Sequence, residues 1–259
     1  MDPQGKIAII TGAASGVGRA AAVLLAQRGA QVIVADVDET GGQETARLVR
    51  DSGGVAEFAS TNVTNWEDLE RVVAFAEQRF GGLDILHNNA GVLTGAQYPQ
   101  ASREHWERTL SINLWSVIAG TQIAIPALQR RGGGVIVSTA SVAGFIRYDD
   151  DPVYAATKHG IVGLTRSLAY LSATMNIRVN CVCPGGIDTP LVAADMSQMT
   201  PEQMAAREQL LSRFPLMPPL QVAEMVLRFI EDDTLAGEAV HVMSGREPTF
   251  VAPPINPYR

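Results

Sequence analysis

The sequence predicts an α/β fold built on a parallel, doubly wound sheet, and three observations predict it. Short β-branched runs alternate with segments of helical period from the first residues onward, which is the βαβ rhythm. Most of those runs are near-continuously apolar rather than alternating, as strands covered by helices on both faces must be. No internal repeat, low-complexity block or linker interrupts the 259 residues, so a single domain over 1–259 is expected.

Residues 6–11 (KIAIIT), 31–36 (QVIVAD), 57–61 (EFAST), 83–89 (LDILHNN), 134–139 (GVIVST), 178–183 (RVNCVC) and 238–243 (EAVHVM) read as seven strands. Residues 15–29 form a helix that stops at Gly29, and residues 64–82 form another, with Thr64 and Glu67 as its capping box. Residues 186–219 break the rhythm. A connection of that length, with a helix from Glu202 to Arg213, reads as a lid, and Met196, Met199, Met204 and Met217 give it an adaptable apolar surface. Residues 244–259 are proline-broken and read as an extended tail.

Composition narrows the function. With 46% hydrophobic and 18% charged residues the chain buries a large core. A net charge of -7, with no Lys/Arg cluster beyond Gln129 to Arg131, excludes nucleic acid and favours a small-molecule partner. No signal-peptide pattern is present, and no apolar stretch is expected to reach the roughly 18 residues of a membrane span, so a soluble cytoplasmic protein without membrane contact is expected. Cys181 and Cys183, spaced i,i+2 on a strand, read as core thiols on one face. His87, His105, His159 and His241 have no metal-ligand spacing, so they read as satisfied or surface histidines and no metal is expected.

Chemistry concentrates at a few motifs. Directly after the first strand, TGAASGVG places Gly12, Gly16 and Gly18 where a doubly wound sheet binds a dinucleotide: glycines let the backbone approach the pyrophosphate, and the helix N-terminus supplies N–H groups. Asp36 ends the second strand, where a carboxylate bonds ribose hydroxyls and repels a 2'-phosphate; Ser15 and Val37 offer no cation for that phosphate, so NAD is expected over NADP. In PVYAATKHG, Tyr154 and Lys158 lie one helical turn apart, close enough for the ammonium to favour phenolate and make Tyr154 a usable base.

TGAASGVG, NNAG (Asn88 to Gly91), Asn113 in SINLWSV, Ser141 in STASVAG, YAATK and PGGIDT (Pro184 to Thr189) occur in the order and spacing of the short-chain dehydrogenase/reductase family, which this chain resembles over nearly its whole length. The resemblance implies a single Rossmann-like domain of seven parallel strands and hydride transfer between a nicotinamide and an alcohol or carbonyl. It implies that Tyr154 is the general base and acid, that Lys158 lowers its pKa and holds the nicotinamide ribose, that Ser141 orients the reacting oxygen, and that Asn113 holds a water linking the lysine to solvent. Cofactor contacts carry over to Gly12, Ser15, Gly16, Val17 and Gly18, to Asp36, to Asn62 and Val63, and to Asn89, Ala90 and Gly91. Beyond Tyr154 and Lys158 they extend to Pro184, Gly185, Ile187 and Thr189. Two departures stand out: Asn62 replaces the usual adenine-capping Asp, and VMSGR (Val242 to Arg246) replaces a Val-Asp-Gly-Gly that serves a tetramer interface.

Within the family, PVYAATKHGIVGLTRS and IEDDTLAG look most like the branch of NAD-dependent hydroxyprostaglandin dehydrogenases and related bacterial alcohol dehydrogenases. The apolar lid points to a hydrophobic secondary alcohol or ketone, with Ser141, Asp151, Tyr154, Gly186, Leu191 and Met196 on the substrate side. The run Asp149 to Asp151 reads as a solvated acidic loop, and more sharply Asp151 is expected to favour polar or cationic substrates and disfavour anionic ones. A 3-oxoacyl thioester reductase and a non-catalytic NAD(H)-binding regulatory protein are the alternatives. Apolar excess on 103–131 and on the helix after Tyr154 predicts a homodimer or homotetramer.

Overall fold

The computed structural model describes residues 1–95, 99–197 and 200–253. Its first half alternates β1 (Ile7–Thr11), α1 (Gly16–Gln27), β2 (Gln31–Asp36), α2 (Glu39–Asp51), β3 (Val55–Ser60), α3 (Trp66–Phe80) and β4 (Ile85–Asn88). α4 (Arg103–Leu110), a π-helical turn at Ser111–Trp115 and α5 (Ser116–Arg130) then follow one another without a break. β5 (Gly134–Thr139), a 3-10 turn at Val142–Gly144, α6 (Pro152–Ser167), α7 (Leu171–Met175) and β6 (Ile177–Pro184) lead to the lid segment. That segment holds α8 (Pro190–Met196) and α9 (Pro201–Arg213), after which α10 (Pro219–Glu231), β7 (Ala239–Val242) and β8 (Thr249–Phe250) complete the described chain.

The sheet order is β3-β2-β1-β4-β5-β6-β7-β8, and every pair through β7 is parallel. All seven expected strands are present, and the tail adds an eighth: Val240 pairs with Phe250 antiparallel, and the Arg166 guanidinium donates to the Val251 and Ala252 carbonyls. Residues 254–259 of the expected tail lie outside the described residues.

Successive side chains of a strand point to opposite faces, and β1 shows why its run must be apolar throughout. Ala8 and Ile10 join α1 and α10 in one core with Leu25, Val226 and Phe229, whereas Ile7 and Ile9 join α3 and α5 in the other with Val73, Ala127 and Leu128. Cys181 and Cys183 are both fully buried, as expected of two thiols on one strand face.

The chain winds outward from β1 to β3 and then crosses back to lay β4 on the other side of β1. The carboxyl ends of β1 and β4 therefore diverge and leave a crevice, which is where open α/β sheets place their sites.

Two local expectations are corrected. The cap of α3 is Asn65, whose side chain accepts from the Asp68 N–H (2.8 Å); Thr64 instead donates to the Asn62 carboxamide in a turn, so the start shifts one residue. A run of spanning length also exists after all, because the 28-residue helix Arg103–Arg130 contains an 18-residue stretch of mean hydropathy 1.3. It serves as a core helix: Val117, Ala119, Ala124 and Leu128 are buried in the fold, as are the polar Asn113, Ser116 and Thr121.

Candidate active site

A cavity of about 1120 Å³ opens above the carboxyl ends of β1, β2, β4, β5 and β6, larger than the roughly 300–1,000 Å³ of a typical single-ligand pocket. One end is backbone-lined. Gly12 has φ +65°, and a Cβ there would lie 2.7 Å from the Ala90 Cα; a Cβ on Gly18 would lie 2.2 Å from the Gly12 carbonyl oxygen. Only glycine permits this packing of loop on helix and strand end. Ser15, Gly16 and Val17 line the cavity, whereas Gly18 packs behind them. The Ser15 side chain does not cap α1, and no acidic residue occupies its first turn, so the N–H groups and positive end of that helix face the cavity uncompensated. This glycine cradle with an uncapped helix start fits the pyrophosphate of a dinucleotide.

Asp36 holds the far edge of that end, its carboxylate accepting the Ala14 N–H (2.8 Å) and the Asp38 N–H (3.0 Å). Its cavity neighbours Val37, Thr61, Asn62 and Val63 include no cation. Arg19 is nearby but committed elsewhere: Nε donates to Thr45 Oγ1 and Nη2 to the Ala14 and Gly41 carbonyls. Asn62 lines the cavity, yet its carboxamide oxygen already accepts from the Thr64 N–H and hydroxyl (3.1 and 2.8 Å).

A hydrogen-bond chain fixes the crevice. The Asn89 amide donates to the Thr11 and Gly12 carbonyls (both 3.1 Å), and its oxygen accepts the Thr139 hydroxyl (3.0 Å). Since that hydroxyl gives its proton to Asn89, it accepts from His87 Nε2 at 3.0 Å, which places the imidazole proton on Nε2. His87 is fully buried, desolvation pushes it down to about 3, and its Nδ1 has no partner among the described residues, so the reading of it as satisfied or surface is only half right.

Ser141, Tyr154 and Lys158 converge at the middle of the cavity. Ser141 follows β5 by two residues and caps the 3-10 turn; its Oγ accepts the Ala143 N–H (3.2 Å), and its hydroxyl bonds Tyr154. α6 carries Tyr154 and Lys158 one turn apart, and the Lys158 ammonium lies 5.4 Å from the Tyr154 ring centroid while donating to the Thr139 carbonyl (2.8 Å). Burial pushes Lys158 down to about 8. Burial also pushes Tyr154 up to about 12, opposed by a hydrogen bond from Ser141, so in the protein alone desolvation outweighs the lowering expected from the lysine. Asn113 is fully buried in the π-helical turn and its amide is committed to the chain. Oδ1 accepts the Val92 N–H, and Nδ2 donates to the Val92 carbonyl (both 2.8 Å) and toward Thr157 Oγ1 (3.4 Å), which clamps the segment after Gly91.

Ala90, Gly91, Pro184, Gly185, Ile187 and Thr189 line the cavity as expected, as do Gly186 and Leu191 on the substrate side. Met196 is half-buried but does not line it.

Asp151 corrects both readings made of it. It is buried, not solvated, and its two oxygens accept the Tyr154 N–H (2.9 Å) and the Thr94 N–H (2.8 Å), making it the N-cap of α6 and not a substrate ligand. The Asp-Pro step at a helix start is the signal that identifies it. Reading the sequence also misses the walls of the other end: Phe145, Ile146, Tyr148, from α9 Arg207, Leu210 and Leu211, and Phe214 at the end of that helix. The last four repeat at i, i+3, i+4 and i+7, so their shared face is legible although its direction is not.

Known proteins share this fold. The family described as short chain dehydrogenase matches residues 6–200. A cyclohexanol dehydrogenase of Acinetobacter sp. (strain SE19) is 38% identical over 88% of this chain and 88% of its own. A 15-hydroxyprostaglandin dehydrogenase [NAD(+)] of Bos taurus is 33% identical over 95% of this chain and 94% of its own. The solved structure of levodione reductase superposes with a TM-score of 0.87 at 31% identity, covering 93% and 97% of the two chains. The chain belongs to the short-chain dehydrogenase/reductase family and is an oxidoreductase of that NAD(P)(H)-using family.

Proposed function

We propose that this protein is an NAD-dependent dehydrogenase of hydrophobic secondary alcohols that works in reverse as a ketone reductase. The observation that carries the reading is the convergence of Ser141, Tyr154 and Lys158 where the glycine-lined end of the cavity meets its apolar end. Relatives named for cyclohexanol and levodione support an alcohol or ketone substrate.

Gly12, Ser15, Gly16 and Val17 would hold the dinucleotide's phosphates, Asp36 its adenosine ribose, Asn89 to Gly91 the intervening chain, and Ile187 and Thr189 the nicotinamide. When bound, that ring supplies the hydride acceptor and, oxidised, a second positive charge beside Tyr154. The proton is the chain's own task. Tyr154 Oη takes it from the alcohol or returns it to the carbonyl oxygen. Ser141, whose hydroxyl bonds Tyr154 in the protein alone, donates to the reacting oxygen and so fixes its direction. Lys158 stabilises the phenolate, and Asn113 keeps the Gly91–Val92 segment against Lys158. Residues 186–219 close the apolar end as a lid, and the exposed Trp115 and Ile118 support assembly of two or four copies through the helix at 103–130.

NAD is preferred because Asp36 faces the ribose position and no cation among the described residues lines that end. Steady-state rates with NAD and NADP over a panel of secondary alcohols test this. NAD turnover should dominate, and Asp36→Ala with Val37→Arg should move preference toward NADP by about tenfold or more. Equal use of both cofactors by the unaltered protein contradicts the assignment.

A further inference from the structure

Of the charged side chains lining the cavity that the proposed chemistry does not employ, one is shielded and unpaired among the described residues. α9 turns Arg207, Leu210 and Leu211 toward the cavity's apolar end on a single face, and Phe214, which ends the helix, joins them. Three are hydrocarbon and one is a guanidinium. The other arginines there are engaged or exposed: Arg147 pairs with Asp149 (2.7 Å), Arg246 lies over the Phe214 ring (5.3 Å), and Arg108 is open to solvent. Arg207 forms no ion pair or hydrogen bond among the described residues, and its Nε is shut off from solvent without an acceptor. A shielded donor left unpaired is costly, and the exposed Glu208 and Gln209 on the same helix show that the outer face accommodates polar groups freely.

We propose that Arg207 receives the carboxylate of an amphipathic substrate whose secondary hydroxyl or ketone lies at Tyr154 and whose hydrocarbon lies along Leu210, Leu211 and Phe214. The inference rests on the reading of the site as an alcohol dehydrogenase, and it reverses the sequence-based expectation that anions are disfavoured. Asp151, the group expected to repel them, is buried as a helix cap with both oxygens satisfied. Asp149 pairs with Arg147, and it and the neighbouring Asp150, which also lines the cavity, are exposed, so water and salt screen their charges. A guanidinium offers a planar fork that matches a carboxylate, and its partly dry setting strengthens the pair.

The test compares secondary-hydroxy fatty acids of graded length with their methyl esters, using the NAD-loaded protein and its Arg207→Gln and Arg207→Lys variants. For the best length, kcat/KM for the acid should exceed that for the ester by about tenfold or more. That ratio should fall close to one in Arg207→Gln, through KM for the acid and not kcat, with Arg207→Lys intermediate. A ratio near one in the unaltered protein, or one that Arg207→Gln leaves unchanged, overturns the proposal. Calorimetric titration with decanoate, decanol and decyl phosphate separates this inference from the reading it rests on. Arg207-dependent preference for decanoate without turnover of acid or ester retains the anion site and defeats the dehydrogenase reading. Equal binding of decanoate and decanol defeats the site, and tighter binding of decyl phosphate defeats the carboxylate assignment.

Discussion

Burial works against both members of the Tyr154–Lys158 pair in the protein alone, pushing the phenol up and the ammonium down. Because Lys158 is depressed from 10.5 to about 8, the unfolded chain holds a proton there that the folded chain gives up between those values. The penalty is therefore complete below about 8 and fades as pH rises through 10.5. Lys158→Met should abolish turnover yet raise stability at neutral pH by about 1–3 kcal/mol, a gain that shrinks toward pH 10.5, as urea unfolding across that range would record. Asp151 is the opposite case, a residue kept for structure. Asp151→Ala should cost about 1–3 kcal/mol in the same unfolding measurement, because two backbone N–H groups lose their acceptor, and should leave substrate preference unchanged. The order of Tyr154 and Lys158 was legible from their helical spacing. The direction of their pKa shifts was not, since desolvation depends on what the rest of the chain packs around them.

At the level of elements, the strands were readable because both faces of this sheet are covered, so each central strand must be an apolar run with little ambiguity of period. The glycine loop was readable for a related reason: backbone-on-backbone packing permits only one residue type. Gly18→Ala puts a carbon 2.2 Å from the Gly12 carbonyl oxygen and should weaken NAD binding by about tenfold or more, measured by fluorescence titration against a cooperative melting control. Helix caps were less legible. Asn65 and Thr64 are both good caps, and only the turn made by Asn62 decides between them. The inward face of α9 was likewise present in the spacing of Arg207, Leu210, Leu211 and Phe214, but nothing local says that a cavity lies beneath it.

For the whole molecule, the sheet's reversal between β1 and β4 brings the glycine loop, the Asn89 clamp and α6 to one crevice, although they stand far apart in the chain. Motif order alone made that crevice legible, through resemblance to the short-chain dehydrogenase/reductase family. The substrate end was not legible in the same way, since it is assembled from the lid and from segments whose meeting is a tertiary event. The central claim is that Tyr154 moves the proton while the glycine-lined end binds the cofactor independently. The most direct measurement follows reduced-nicotinamide absorbance with a turned-over secondary alcohol in the unaltered protein and in Tyr154→Phe, alongside NAD titration of both. The account predicts that Tyr154→Phe lowers kcat by at least about 10²-fold while NAD affinity changes little. A variant that keeps its turnover would contradict it.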